Sequence, residues 1–196
     1  MTIADEDQIE QRVDTIVSLY RDKGDATYGE GVSQTVHALQ CAKVAEEMGA
    51  GPELIIATLL HDIGHLLHGR AEDIAEQGID MAHQIIGEKY LGRWFSDKVS
   101  RPVGMHADAK RYLCAVEDGY FAGLSPASLR SLELQGGTMT DDETRDFERE
   151  AMFDDAILLR RCDEAGKDPD MQTRQLTDYI PLMRSLMAEQ MAANRN

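Results

Sequence analysis

The chain has 196 residues, of which 42% are hydrophobic and 29% charged, a composition typical of a globular protein with one core. Its formal net charge of −16 disfavours nucleic acid and anionic membrane surfaces as partners, because both are negatively charged. The three cysteines, Cys41, Cys114 and Cys162, are too widely spaced for a disulfide framework. Neither a secretory signal nor a membrane-spanning apolar run is predicted, so we expect a cytoplasmic protein.

Hydrophobic periodicity is helical nearly throughout the chain. It predicts helices over residues 6–22, 33–48, 52–64, 78–91, 96–104, 106–117, 126–134, 140–149, 151–165 and 178–193. Ser33 is the expected N-cap of the second helix, and Pro52 opens the third. The sequence shows no alternating strand pattern, repeat or linker. We therefore predict a single all-α domain over residues 1–196.

His61 and Asp62 are adjacent at the end of a predicted helix that is otherwise almost wholly apolar. Burying an imidazole and a carboxylate at such a position is costly unless a metal ion or tight pairing compensates. The pair alone is a weak signal, because a histidine followed by an aspartate is common by chance. The pair becomes a stronger indication of a metal site if other parts of the chain place further candidate ligands beside it.

Further candidate ligands are distributed singly over other predicted helices. His37 lies in the helix before the His-Asp pair, and Asp163 comes late in a helix whose earlier turns are apolar. His83 and His106 each come near the start of a downstream helix. Helical bundles build buried metal sites from ligands delivered in this way. A set of imidazoles and carboxylates without thiolate suits iron, manganese or a similar divalent ion.

These ligands resemble the series found in the HD-domain superfamily, in its two-metal form. The series in this chain is His37, His61, Asp62, His83, His106 and Asp163. The resemblance covers about residues 28–165 and implies an all-α HD-domain bundle with a buried binuclear site. It assigns the first metal to His37, His61, Asp62 and Asp163. It assigns the second metal to Asp62, His83 and His106, with Asp62 as the bridging carboxylate.

Four local strings resemble a smaller group within that superfamily, the phosphonate-cleaving diiron oxygenases, which are related to myo-inositol oxygenase. The strings are HALQCA (37–42), HDIGHLLH (61–68), HADAKRYL (106–113) and LSPASLRSLELQGG (124–137). The resemblance implies two iron ions in a mixed-valent Fe(II)/Fe(III) state, with O2 as co-substrate. The implied reaction cleaves the C–P bond of an α-hydroxyalkylphosphonate and releases phosphate and a carboxylic acid.

Three side chains that can carry positive charge lie three or four residues from expected ligands, on the same helical faces. They are Lys110, Arg160 and His65. In an acidic protein, a phosphonate dianion needs such a local group of cations. We therefore expect these three residues, with Ser128 near a helix start as a hydroxyl donor, to bind the phosphonate. His65 is also a candidate acid or base.

Tyr28 and Glu30 come shortly before the first expected ligand. In the glycine-forming phosphonate oxygenase, a tyrosine here caps one iron and a glutamate meets the substrate amine, so the resemblance implies catalytic and substrate-binding roles. Here the tyrosine stands one residue closer to the glutamate, which is compatible with a reshaped amine pocket. With Asp108 and Tyr112, these residues are candidates for a cage around a quaternary ammonium group.

Among substrates we therefore favour (R)-1-hydroxy-2-(trimethylamino)ethylphosphonate, giving glycine betaine, over (R)-2-amino-1-hydroxyethylphosphonate, giving glycine. Two other classes are open. An HD phosphohydrolase would use a metal-bound hydroxide and need no O2, and a non-catalytic HD module would bind a partner without turnover. Cys41 and Cys162 flank expected ligands and are predicted to pack as small apolar residues.

Overall fold

The computed structural model of this chain describes residues 2–27, 31–67 and 82–195. In these ranges the regular structure is helical throughout, as the sequence predicts, and contains no strand. The α-helices are α1 (Ile3–Lys23), α2 (Gln34–Glu47), α3 (Pro52–Leu60), α4 (Ile63–Leu67), α5 (His83–Leu91), α6 (Asp97–Val116), α7 (Tyr120–Gly123), α8 (Pro126–Leu134), α9 (Asp141–Phe147), α10 (Phe153–Ala165) and α11 (Ile180–Ala193). A 3-10 helix, Leu176–Tyr179, precedes α11.

Helix α6 corrects one prediction, because the separate helices expected over residues 96–104 and 106–117 are continuous. Pro102 lies inside α6, where its missing N–H removes one backbone hydrogen bond. The helix continues because most of its side chains between Val99 and Lys110 are buried, and α6 packs against α3, α5 and α10. Tertiary packing here outweighs the local preference for a break.

Two further boundaries differ from the predicted ones. The helix expected over residues 52–64 is divided into α3 and α4 by a turn at His61 and Asp62. In the described part of the chain, the helix expected over residues 78–91 begins at His83. Ala82, the residue before it, has a left-handed backbone with φ of 46° and so lies outside the helix. The first four residues of that predicted helix lie outside the described ranges. The short helix α7 was not predicted.

The main core lies where α2, α3, α6 and α10 meet, with α1 and α11 packed together on its other side. Fully buried side chains from these helices include Ile16, Ile56, Leu59, Leu159 and Met183. Each such side chain stabilises the fold by about 1.5–3 kcal/mol relative to an exposed position. In the described part of the chain, none of the helices has the length and apolar character that crossing a bilayer requires.

Helices α4 and α5 approach so closely that one position between them has no room for a side chain. A Cβ atom added at Gly64 would overlap the carbonyl oxygen of His83 and would lie 2.7 Å from its carbonyl carbon. Backbone atoms cannot move aside as a flexible side-chain end can, so this contact fixes the spacing of the two helices. Gly64 therefore determines how near the first residue of α5 comes to the turn at His61 and Asp62.

We expect Gly64→Ala to lower the free energy of unfolding by about 1–3 kcal/mol, because the added methyl group overpacks a backbone contact. Urea denaturation of the purified variant measures this loss. Gly123→Ala is the matched control, since a Cβ atom there would meet nothing within 4 Å. Equal stability of the two variants would show that α4 and α5 can separate without cost.

Candidate functional site

Six side chains converge at one buried place between α2, the α3–α4 turn, α5, α6 and α10. They are the six expected ligands His37, His61, Asp62, His83, His106 and Asp163. Five of them are buried, and Asp62 is partly exposed. His106 lies in the middle of α6 rather than near a helix start, because the two predicted helices are one.

One half of this cluster, subsite 1, contains His37, His61 and Asp163. His37 Nε2 lies 3.2 Å from Asp163 Oδ1 and 3.3 Å from His61 Nε2. The Oδ2 atom of Asp62 completes the group, at 3.8 Å from His37 Nε2 and 3.6 Å from His61 Nε2. Four donor atoms from two helices, α2 and α10, and from the α3–α4 turn therefore surround one point.

The other half, subsite 2, contains His83 and His106, whose Nε2 atoms are 3.0 Å apart. Asp62 faces them with its second oxygen, Oδ1, at 3.5 Å from His83 Nε2 and 3.8 Å from His106 Nε2. Each subsite thus receives one oxygen of the same carboxylate, which is how a carboxylate bridges two metal ions.

The spacing of these donor atoms fits metal coordination. Nitrogen or oxygen ligands about 2.1 Å from one ion lie about 3.0–3.4 Å from each other in octahedral or tetrahedral geometry. The closest pairs in both subsites, at 3.0, 3.2 and 3.3 Å, fall in that range. The residues present can therefore hold two ions bridged by Asp62, with imidazole and carboxylate ligands suited to iron or manganese.

Hydrogen bonds to backbone carbonyl groups orient three of the imidazole rings. The Nδ1 atoms and their partners are His37 with Gly166 O at 2.7 Å, His61 with Thr58 O at 2.8 Å, and His106 with Val103 O at 2.7 Å. A carbonyl oxygen only accepts, so each Nδ1 carries the proton, and in the neutral ring Nε2 keeps its lone pair. The Nε2 atoms of His37 and His61, 3.3 Å apart, would repel each other if both kept a free lone pair, so a proton or a metal ion is needed between them.

The electrostatic environment favours the protonation states in which most of these side chains can bind a metal ion. Burial, with the charge of His61, lowers the pKa of His106 to about 4, and burial with the charge of His65 holds the pKa of His83 well below its usual value. Burial alone would raise the pKa of Asp62, but the surrounding histidines, His61 first, lower it. The carboxylate is therefore ionised and the two imidazoles are neutral at neutral pH.

His37 differs from the other imidazoles. Its burial disfavours the charged form, but Cys41 and Asp163 outweigh that effect and raise its pKa well above the usual value. The local field of subsite 1 therefore favours positive charge at the point where the donors converge. A metal ion would supply that charge and displace the proton, which is the usual competition between protons and metals for a histidine.

The predicted phosphonate-binding residues lie in the same interior. Lys110 and Arg160 are each only 3% exposed, and Ser128 is 6% exposed. The Lys110 Nζ atom donates to Ser131 Oγ at 2.5 Å and to the Ser128 carbonyl oxygen at 3.5 Å. Both cations are therefore buried and are not solvated surface charges.

Arg160 connects this cationic group to subsite 1. Its Nη1 atom donates to Asp163 Oδ2 at 2.5 Å, which leaves Oδ1 of that carboxylate facing His37. Its Nε atom donates to the Tyr120 hydroxyl at 2.9 Å, and Glu164 forms a further ion pair with the guanidinium group. Arg160 thus orients an expected ligand as well as adding charge.

His65 and the two cysteines also contact expected ligands. The His65 ring stacks on His83 with centroids 4.1 Å apart, and ligand atoms of Asp62, His65 and His83 lie within 4.8 Å of one another. Cys41 Sγ lies 3.6 Å from His37 Nδ1, and burial raises the pKa of its thiol. Cys41 and Cys162 share one buried apolar cluster, which confirms the prediction that they pack as small apolar residues.

The candidates for an ammonium cage are only partly described. Tyr28 and Glu30 lie outside the described residues. Asp108 pairs with Arg111 at 3.1 Å. The hydroxyl group of Tyr112 donates to Glu148 at 2.8 Å, and its ring packs against two phenylalanines, Phe147 and Phe153. These contacts give Tyr112 a packing role between α6, α9 and α10.

Sequence reasoning missed five residues that complete the site: Gln40, Tyr120, Ser131, Gly166 and Lys167. Tyr120, Ser131 and Lys167 contact Arg160, Lys110 and Ser128 respectively. The spacing rule that selected Lys110 also applies to Lys167, four residues after Asp163. Gly166 acts through its backbone carbonyl oxygen, and Gln40 through a side-chain amide that bonds the backbone of Asp168. No sequence pattern marks either contact.

Comparison with known proteins gives a family and named relatives. The HD domain family matches residues 35–163 of the chain. A hydroxymethylphosphonate dioxygenase from Gimesia maris is 42% identical over 173 residues, covering 86% of this chain and 85% of the relative. The glycine-betaine-forming [1-hydroxy-2-(trimethylamino)ethyl]phosphonate dioxygenase from Leisingera caerulea is 37% identical over 182 residues, covering 92% and 93%. An uncharacterised protein of Acanthamoeba polyphaga mimivirus is 34% identical over 186 residues, covering 93% and 85%.

We expect the parent to bind two metal ions per chain and His83→Ala to bind one, because only subsite 2 loses an imidazole. Elemental analysis after loading and desalting measures the ratio. His37→Ala is the comparison variant, because it removes a donor from subsite 1 instead. Two tightly held ions in His83→Ala would mean that His83 is not a ligand and that subsite 2 lies elsewhere.

Proposed function

Because the chain belongs to the HD-domain family, and its named relatives are phosphonate dioxygenases, we propose that it is an O2-dependent oxygenase of α-hydroxyalkylphosphonates. The observation that carries this proposal is the buried cationic group of Lys110 and Arg160, placed beside a site that can hold two metal ions. A metal centre alone would suit many HD enzymes. A phosphonate dianion requires cations at the metal site.

The proposed reaction balances without another reductant or oxidant. The substrate carbon that carries the hydroxyl group loses its bonds to hydrogen and to phosphorus and becomes a carboxylate carbon, while phosphorus leaves as inorganic phosphate. The two atoms of O2 enter the two products, one in each, and one proton is released. The reaction needs O2 and a site that binds the hydroxyl oxygen and a phosphonate oxygen of the substrate. It also needs other reductants to be excluded from the protein interior.

The proposed cofactor is a pair of iron ions in the mixed-valent Fe(II)/Fe(III) state, which when bound would activate O2 and coordinate substrate oxygens. Subsite 1 would hold one ion through His37, His61, Asp62 and Asp163, and subsite 2 the other through Asp62, His83 and His106. Subsite 2 has fewer protein ligands, so more coordination positions are open there to substrate. His65 stacks on His83 and is placed to orient that ligand or to exchange a proton with the substrate.

Lys110, Ser128 and Arg160 would hold the phosphonate so that the reacting carbon faces the metal pair. Such positioning matters because hydrogen abstraction depends on near-attack geometry. Tyr28 and Glu30 are proposed to meet the far end of the substrate, and Tyr28 to cap a metal before substrate enters. Their placement after α1 and before α2 brings them near His37 along the chain.

For the substrate we propose (R)-1-hydroxy-2-(trimethylamino)ethylphosphonate, with (R)-2-amino-1-hydroxyethylphosphonate as the alternative that the sequence left open. The relative from Gimesia maris adds hydroxymethylphosphonate, which has no amine substituent. All three compounds share a hydroxyl group and a phosphonate on one carbon, which is the part that Lys110 and the metal site would bind.

The chain is further proposed to form one HD domain over residues 1–196. Side chains of α1 and α11, which lie outside the matched region, belong to the same core cluster as those of α3, α6 and α10. A cytoplasmic location is proposed from the three free thiols, Cys41, Cys114 and Cys162.

We expect the iron-loaded protein to release phosphate from at least one of these three α-hydroxyphosphonates in air. Under strict anaerobiosis it should release phosphate from none of them. Parallel assays with the three compounds rank the substituents, and 18O2 should label both the phosphate and the carboxylate. Phosphate release without O2 would contradict the proposal. Hydrolysis of phosphate monoesters by the same preparation would favour an HD phosphohydrolase instead.

The affinity for the phosphonate should fall as pH rises above neutrality. Burial, followed by the charges of Arg160 and Lys167, lowers the pKa of Lys110 to about 7, while Asp163 and Cys114 act in the opposite direction. A lowered pKa means that the ammonium form is complete only below about pH 7, and binding a dianion above that pH requires proton uptake. We expect KM to rise by up to about tenfold per pH unit above that point.

Steady-state kinetics between about pH 6 and pH 9 test this dependence. Lys110→Arg is the control, because a guanidinium group stays protonated over the whole range and should flatten the rise in KM. An unchanged profile in Lys110→Arg would assign the pH dependence to another group.

A further inference from the structure

We propose that Gln40 is a positioning residue for the metal site, which holds the chain after α10 against α2 so that the carbonyl oxygen of Gly166 orients His37. Because it requires a metal ion at subsite 1, this role rests on the proposed function. Gln40 itself would touch neither the substrate nor a metal ion. Its effect on metal affinity should reach subsite 1, which contains His37, and not subsite 2.

The side chain of Gln40 is fully buried and bonds the backbone of one distant residue twice. Its Oε1 atom accepts from Asp168 N at 3.1 Å, and its Nε2 atom donates to the carbonyl oxygen of the same residue. A side-chain amide offers both a donor and an acceptor, so it can satisfy both polar groups of a backbone residue. Gln40 lies on α2, three residues after His37, so this pair of bonds and the expected ligand lie within one helical turn.

Gly166 lies between this pair of bonds and the end of α10. Its N–H donates to the Cys162 carbonyl oxygen at 2.9 Å, which closes the last turn of that helix. Its own carbonyl oxygen accepts from His37 Nδ1 at 2.7 Å. The carbonyl group that faces His37 is therefore held by α10 on one side and by Gln40, through Asp168, on the other.

The chain after α10 packs against α2 without spare room at Gly166. A Cβ atom added there would overlap Cys41 Sγ and would lie 3.0 Å from Cys41 N. Cys41 comes one helical turn after His37, so Gly166 packs on the face of α2 that carries the expected ligand. This packing limits how far the Gly166 carbonyl oxygen can move towards or away from α2.

His37 depends on a distant residue for its orientation, unlike the two other histidines that bond carbonyl groups. His61 and His106 each bond a carbonyl oxygen three residues earlier in the chain, which the local helix places. The partner of His37 is 129 positions away, in Gly166, which follows the end of α10. Something must therefore hold that carbonyl group beside α2, and the bonds from Gln40 do so.

Two further contacts tie the same stretch of chain to α2 at more exposed positions. Lys43 Nζ donates to the Gln172 carbonyl oxygen at 2.9 Å, and Glu46 pairs with Arg174 at 3.0 Å. With Gln40, these two residues of α2 follow one another at three-residue spacing along the helix. Gln40 is the fully buried member of the three. The others provide controls that loosen the same stretch further from His37.

Three variants separate positioning from a simple tie between segments. Gln40→Met keeps an unbranched side chain in the core and removes both bonds to Asp168, whose exposed backbone can then bond water. Gly166→Ala displaces the same carbonyl group by overlap with Cys41. Lys43→Met is the matched control, because it removes a contact to the same stretch without touching Gly166 or its neighbours.

The measurement is the affinity for Mn2+, by isothermal titration calorimetry, in two backgrounds that each keep one subsite whole. His83→Ala keeps subsite 1, and His37→Ala keeps subsite 2. In His83→Ala, we expect Gln40→Met and Gly166→Ala to weaken Mn2+ binding by about 10–100-fold, as loss of a partner that orients a ligand does. In His37→Ala, the same changes should weaken it by about threefold at most. Lys43→Met should have little effect on either.

A role limited to tying segments together would lower the melting temperature in Gln40→Met and Lys43→Met alike, without favouring one subsite. Equal weakening at both subsites would therefore overturn the proposal. So would an unchanged Mn2+ affinity when Gln40→Met is added to His83→Ala, or no Mn2+ binding by His83→Ala itself. If Gln40→Met does not fold, Gly166→Ala decides by the same criteria.

Turnover of α-hydroxyphosphonates by the parent separates this role from the proposed reaction. If the parent turns over none of them but the affinity of subsite 1 depends on Gln40, the positioning role stands and the oxygenase function falls. If the parent turns over a phosphonate and the affinity does not depend on Gln40, the oxygenase function stands and the positioning role falls.

Discussion

The fold depends on one electrostatic constraint, the burial of four imidazoles and two carboxylates at a single point in an apolar interior. The carbonyl oxygens of Thr58, Val103 and Gly166 fix the rings of three histidines, so that their Nε2 atoms converge. Such an arrangement is unfavourable without positive charge at its centre. Five elements meet there, so binding of cations would also hold together the helices that contribute the donors.

The second structural requirement is close approach of backbones. Subsite 2 forms only if α5 comes near the turn that carries Asp62, and Gly64 permits that approach because it has no Cβ atom. Subsite 1 has a counterpart in Gly166, where a Cβ atom would overlap the Cys41 thiol and where the carbonyl oxygen anchors His37. Glycine in both places therefore sets distances between donor atoms, although neither glycine contributes a ligand itself.

Sequence reasoning predicted the helical class and assembled the six candidate ligands, because histidines and aspartates in apolar helices are conspicuous. It also selected Lys110, Arg160 and Ser128, which the structure places together inside the protein. It divided α6, which is one continuous helix, because the local sequence carries no information about the helices packed against it.

Other parts of the site depend on contacts between distant segments. Tyr120 belongs to a four-residue helix, and its hydroxyl reaches Arg160 forty residues later. Gln40 holds the backbone of Asp168 across 128 positions. No periodicity marks such residues, because their roles arise only when α2, α7 and α10 are packed. Lys167 is one example. Its spacing from Asp163 is helical, but it lies after the end of α10, where hydrogen bonds between Gln40 and the backbone of Asp168 hold the chain near Ser128. The geometry around the expected ligands therefore depends partly on the hydrogen bonds of a loop, where sequence patterns are least informative.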